Sequence, residues 1–203
     1  MNWETYLALG DSITIGARTY LGYPEIVADM LSQRLNRYWN VVNHATCGFT
    51  AIDLARSIDQ HFVTLKQQRP NLITILIGTN DIKEKVSARD YEIAINQVLI
   101  KAQLLAGNGA ITLLNIPGFH KGISYPYSYD MNKQVAVFNG ILSELADKYC
   151  TRILQLTHTA DHFADGVHLN QHGIQHFADQ LVAHVLTDKG IEVANMVHDA
   201  QFG

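Results

Sequence analysis

Lysine and arginine runs are missing from this 203-residue chain, whose 15 basic and 19 acidic side chains leave a formal charge of −4. Nothing in it could neutralise a phosphate backbone or hold an anionic membrane, which argues against nucleic acid as a partner. Cysteine is scarce: Cys47 and Cys150 cannot build a disulfide framework and read as free thiols of a reducing compartment. Proline is scarce too, with 4 residues, and with 47% hydrophobic and 17% charged residues the composition is globular rather than disordered. No apolar stretch approaches the roughly 20 residues that span a bilayer. The longest, Asn71–Ile77, stops at Gly78. No basic segment precedes the first apolar run, so no signal peptide is visible and the expected compartment is the cytoplasm, unless a leader was removed ahead of Met1.

What is present is an alternation of short β-branched runs and longer stretches of helical period, the pattern of βα units around a parallel sheet. The runs predict strands at Tyr6–Leu9, Trp39–Asn43, Leu72–Ile77, Ile111–Ile116 and Arg152–Leu156. Helices are expected at Pro24–Arg37, Ala51–Gln67, Ala88–Ala106, Met131–Tyr149 and Gln171–Thr187. Thr50 with Asp53, and Ser87 with Asp90, resemble capping boxes. Gly107-Asn108-Gly109 is expected to supply left-handed conformations that turn the chain into the fourth strand. The units do not repeat, so the expectation is one α/β domain of three αβα layers over residues 1–203, with 190–203 as a surface or frayed tail.

Ligands of such sheets bind where the chain leaves the carboxyl ends of the strands. After the first strand comes Gly10-Asp11-Ser12-Ile13-Thr14, which makes Ser12 a candidate nucleophile. A serine hydroxyl is weak at neutral pH and needs a base oriented by a third group. The fifth loop offers both in Asp165-Gly166-Val167-His168, where one turn can carry the carboxylate to one imidazole nitrogen and leave the other facing out. Acyl transfer also needs donors for the oxygen that becomes negative. The backbone N–H groups of Ser12 and Gly48 and the side-chain amide of Asn80, in Gly78-Thr79-Asn80-Asp81, are candidates on the same edge. Asp11 and Asp81 read as local turn or capping carboxylates.

These blocks resemble those of the SGNH hydrolases, also called the GDSL esterase/lipase superfamily, across nearly the whole chain. The departure is Ile13, where the family name expects leucine. The resemblance implies a flavodoxin-like five-stranded parallel sheet of order 2-1-3-4-5. It also implies nucleophile Ser12, base His168, orienting Asp165, oxyanion donors Ser12, Gly48 and Asn80, and no cofactor.

Other chemistries share these residues. Five of the ten histidines lie between His158 and His176, with His158/His162, His168/His172 and His172/His176 four apart, a spacing that can hold zinc. The glutamate of H-E-x-x-H is absent, so no metal site is expected. Cys47 lies beside Gly48 but lacks a reserved His–acid pair and is expected to pack as a small buried residue. Phosphate or flavin at the Gly10–Gly16 loop would make a binding module, a reading that leaves Asp165 and His168 unexplained. The stretch Phe119–Tyr129 is dense in aromatics, and Tyr125, Tyr127 and Tyr129 are expected to wall a pocket or form a flap.

The expected activity is hydrolysis of short-acyl carboxylic esters, small aliphatic esters or O-acetylated sugars, through an acyl-enzyme on Ser12. A lysophospholipase, thioesterase or acyltransferase would use the same triad.

Overall fold

Every residue of Leu72–Leu76 is buried, as the uninterrupted apolar run requires of a strand covered on both faces. In the computed structural model, which describes residues 3–188 and Gly190, this run is β3, the middle strand of a five-stranded sheet. The others are β1 (Trp3–Gly10), β2 (Tyr38–Ala45), β4 (Ala110–Leu114) and β5 (Arg152–Leu154). The order is β2-β1-β3-β4-β5, and all neighbours run parallel. It is the order expected from the sequence.

The period-two alternation of strand side chains divides the core into two layers. Leu7, Leu9, Ile73, Ile75 and Leu113 point to one face, covered by α3 (Ala51–Gln67), α5 (Ala88–Ala106) and α6 (Asn132–Tyr149). Tyr6, Ala8, Leu72, Leu76 and Leu114 point to the other, covered by α2 (Tyr23–Leu35) and α7 (Gln171–Asp188). The buried Tyr6 hydroxyl pairs with Thr74 Oγ1 at 2.8 Å, which removes the cost of burying both. Among the described residues no helix is long and apolar enough to cross a membrane.

Two helices were not legible in the sequence: α1 (Ser12–Ile15) and α4 (Thr79–Lys83) are single turns, too short for an apolar period to register. Both sit directly after a strand, on the carboxyl edge of the sheet. The helix α2 ends at Leu35 instead of Arg37 because Asn36 adopts a left-handed conformation, φ 49°. The caps divide. In both the hydroxyl accepts from the backbone N–H of the acid and donates to its carboxylate, but at Thr50 the Asp53 carboxylate also accepts from the cap's own N–H, at 3.0 Å, which completes a reciprocal box that Ser87 and Asp90 do not form. Of Gly107-Asn108-Gly109 only Gly107 has a positive φ; Gly109 serves close packing instead, since a Cβ there would run into the Pro70 carbonyl oxygen. The expected tail 190–203 lies outside the described residues beyond Gly190.

Candidate active site

Asp11 caps α1, its Oδ1 accepting from Ile13 N–H at 2.9 Å, and this places Ser12 at the first helical position. The Ser12 side chain therefore projects from the carboxyl edge. Across it, β5 gives way to a single 3₁₀ turn at Ala160–His162, and the following loop is closed by an antiparallel bridge between Phe163 and Leu169. Within that closure Ala164 N–H donates to the His168 carbonyl at 2.8 Å, and Gly166 takes φ 85°. The loop holds Asp165 and His168 on one turn.

Ser12 Oγ lies 3.0 Å from His168 Nε2, and His168 Nδ1 lies 2.8 Å from Asp165 Oδ2. A carboxylate can only accept, so Nδ1 carries the proton and Nε2 is free to accept from the serine hydroxyl. Asp165 Oδ1 accepts from the backbone N–H groups of Val167 and His168 at 3.1 and 2.8 Å. Burial works to raise the Asp165 carboxyl, but hydrogen bonds from His168, Val167 and Arg18 outweigh it and hold the group below the usual carboxylate range. Chemically the arrangement can draw a proton from a serine oxygen while keeping the ring in one tautomer.

Gly48, between β2 and α3, has φ 84°, a conformation that side chains disfavour, and faces open space. Asn80, in the first turn of α4, donates through Nδ2 to the Phe49 carbonyl at 3.0 Å and to Asp11 Oδ2 at 3.4 Å. It thereby links the loops after β1, β2 and β3; the longer bond is weak and leaves that N–H available to a better acceptor. Asp81 does not make the local turn expected of it. Both of its oxygens accept from Ala51 N–H, at 3.1 and 3.0 Å, pinning α4 to the start of α3. Burial pushes Asp11 up to about 7 and Asp81 up to about 6.

The three tyrosines separate. Tyr125 is 95% exposed and Tyr129 51% exposed, whereas Tyr127 is partly buried with its ring 5.0 Å from that of Phe119. Cys47 is exposed, not buried as expected. The residue that sequence reasoning missed is Arg18, whose Nε donates to Asp165 Oδ2 at 3.0 Å from a position 147 residues away in the chain. No local pattern could have signalled it.

The remaining histidines of the dense segment turn towards one another. His162 stacks on His176 with ring centroids 4.2 Å apart and meets His172 edge-on at 4.7 Å. His158 Nε2 accepts from Gly118 N–H at 3.1 Å, so its Nδ1 donates to His120 Nε2 at 3.0 Å. Among the described residues no group of three or more His, Cys, Asp or Glu is arranged to hold a metal ion.

This packing has a pH consequence. Burial, then the neighbouring His120, His162 and His176, push His158 down to about 4, and burial likewise lowers His162. The fold favours the neutral rings, so their contribution is complete above the unfolded value of about 6.5 and is lost as pH falls through the folded value. Asp11 and Asp81 act in the opposite sense, because a raised carboxyl adds stability on acidification. The His158 share is isolated by His158→Gln: the native Tm is expected to fall by about 3 °C more than that of the variant between about pH 7 and about pH 4.5. Parallel melting curves in the two proteins would remove His158 from this account.

A parallel five-stranded sheet in this order, with helices on both faces, is the α/β fold of the SGNH hydrolases. The chain belongs to the GDSL-like Lipase/Acylhydrolase family, whose model matches residues 8–176, and it is a carboxylic ester hydrolase. No curated protein sequence matches it. Solved structures share the fold at low identity. The lipase/acylhydrolase from Enterococcus faecalis is 16% identical, with a TM-score of 0.75 over 91% of this chain and 96% of that one. The acetylxylan esterase from Geobacillus stearothermophilus is 21% identical, with a TM-score of 0.70 over 96% and 97%. A psychrotrophic esterase from Pseudoalteromonas sp. is 17% identical, with a TM-score of 0.71 over 92% and 99%.

Proposed function

We propose that this hydrolase cleaves short-acyl carboxylic esters through an acyl-enzyme on Ser12. The reading rests on one observation, the unbroken chain from Ser12 Oγ through His168 to Asp165 at 3.0 and 2.8 Å. Ser12 attacks the ester carbonyl, His168 takes its proton through Nε2 and returns it to the leaving alcohol, and water then releases the acid by the same path. Asp165 fixes the ring and stabilises its charged form. Ser12 N–H, Gly48 N–H and the Asn80 amide stabilise the oxyanion, Asn80 exchanging its long bond to Asp11 for the stronger charged acceptor.

The short-acyl preference follows from the space around Ser12. The crevice lined by Ile13, Thr79, Phe119, Phe163 and Val167 is filled by its own walls. A cavity of about 940 Å³, lined by residues such as Lys66, Asn71, Thr112 and Arg152, lies at the opposite edge of the sheet and cannot receive an acyl chain attached to Ser12. Tyr127 is the tyrosine of its loop that supports the pocket-wall reading, and the exposure of Tyr125 suits an outer contact with a sugar ring.

Two measurements test this. A serine-directed phosphonate should label Ser12, and mass mapping to another residue would overturn the nucleophile. Across p-nitrophenyl esters, kcat/KM should peak between acetyl and hexanoyl and fall beyond, by about tenfold at dodecanoyl. A steady rise to dodecanoyl would make lipids the substrate class. Acetylated xylan, the substrate in the name of the Geobacillus relative, belongs in the same assay.

A further inference from the structure

Both oxygens of the Asp165 carboxylate are used twice. Oδ1 takes the two backbone N–H groups of its own loop, and Oδ2 takes His168 Nδ1 at 2.8 Å together with Arg18 Nε at 3.0 Å. Arg18 lies in the turn between α1 and α2, on the segment that begins with Ser12. The segment carrying the serine and the loop carrying the imidazole are therefore joined at two points, Ser12 to His168 and Arg18 to Asp165. Building on the triad reading above, we propose that Arg18 is a positioning residue of this hydrolase: its guanidinium aims the Asp165 carboxylate and draws part of that charge away from the His168 ring.

The physical basis is competition for one oxygen. A positively charged donor on Oδ2 competes with His168 Nδ1 for the same oxygen, so the carboxylate stabilises the protonated ring less than an unshared one would. Asp165 alone is a partly exposed carboxylate, and without Arg18 only its own loop restrains it. The Arg18 side chain is 58% exposed, so solvent screens its charge and the effect is about half a pH unit, not the several units of a buried pair.

Other groups facing this pair leave the comparison clean. Ser12 approaches the ring from α1 and does not titrate in the working range. Tyr127, from the loop after β4, is pushed up to about 12 by burial and by the carboxylates of Asp11, Asp165 and Glu84, and stays neutral. Asp11, behind Ser12, is pushed up to about 7 by burial, and it is present in native protein and Arg18 variants alike.

The experiment is the pH profile of kcat/KM for p-nitrophenyl acetate, from about pH 5 to about pH 9, in native protein, Arg18→Met and Arg18→Lys. In Arg18→Met the acid limb should move up by about half a pH unit and kcat should fall about threefold, with KM unchanged. Arg18→Lys keeps the charge and should restore the native limb. A merely structural contact would lower activity without moving the limb. An unmoved limb in Arg18→Met, in protein whose Ser12 the phosphonate still labels, overturns the role of Arg18 and leaves the triad standing. A raised KM with an unmoved limb does the same and makes Arg18 a substrate contact. A phosphonate label on another residue overturns both.

Discussion

Ser12→Ala is expected to lower kcat by about 10⁴-fold or more while the protein remains folded. Within the proposed mechanism nothing else on the carboxyl edge can replace the lost hydroxyl. Cys47 is close in sequence to Gly48, but among the described residues its exposed thiol has no hydrogen-bonded imidazole, which is what a nucleophile needs at neutral pH. The fold should tolerate the change because it removes only the hydroxyl and leaves the Ser12 backbone, with its N–H, in place. Asp11 still caps α1 through Ile13 N–H, and the helix is still closed by Gly16 N–H on the Ser12 carbonyl at 3.1 Å. The single side-chain bond lost, to His168, costs about 1 kcal/mol. Turnover of p-nitrophenyl acetate alongside a circular-dichroism melt separates chemistry from stability. Native rates in a folded variant would sink the assignment.

Asp165→Asn should cost about 10³–10⁴-fold in kcat/KM. The magnitude follows from which oxygen becomes nitrogen. Oδ1 accepts two backbone N–H groups, so the amide keeps its carbonyl oxygen there and turns its NH₂ towards His168 Nδ1 and Arg18 Nε. Donor then faces donor. The ring escapes by moving its proton to Nε2, where it points at Ser12 Oγ and can no longer accept. Arg18 worsens the position, since its charge loses its anion and opposes an imidazolium. The loop itself should persist, held by the Phe163–Leu169 bridge and the Ala164–His168 backbone bond. The measurement is kcat/KM at the pH plateau together with the melting temperature. A loss under tenfold with an unchanged melt would show that Asp165 does not set the tautomer.

Much of this could be read along the chain because it depends on local chemistry. Leu72–Leu76 declares a doubly covered strand by composition alone, and the βα alternation leaves a parallel sheet as the economical arrangement. Asp-Gly-Val-His declares its geometry because Gly166 permits the positive φ that brings the carboxylate of Asp165 onto the ring three residues later. Thr50 and Asp53 cap each other over three residues, within reach of any sequence pattern. The helices α1 and α4 escaped, since four or five residues carry no period.

The βα alternation and the turn that can carry Asp165 to His168 are legible along the chain, because backbone periodicity and turn chemistry are short-range and survive in the one-dimensional string; the order of strands follows from the family resemblance carried by the blocks around Ser12, Gly48, Asn80 and His168. Assembly of the fold decides that Arg18 meets Asp165, that Asp81 reaches back to Ala51, that Tyr125 faces solvent while Tyr127 packs on Phe119, and that the cavity of about 940 Å³ lies away from the serine. Those outcomes depend on the distances between loops that leave different strands. The registers and twist of the assembled sheet set such distances, and no stretch of neighbouring residues encodes them.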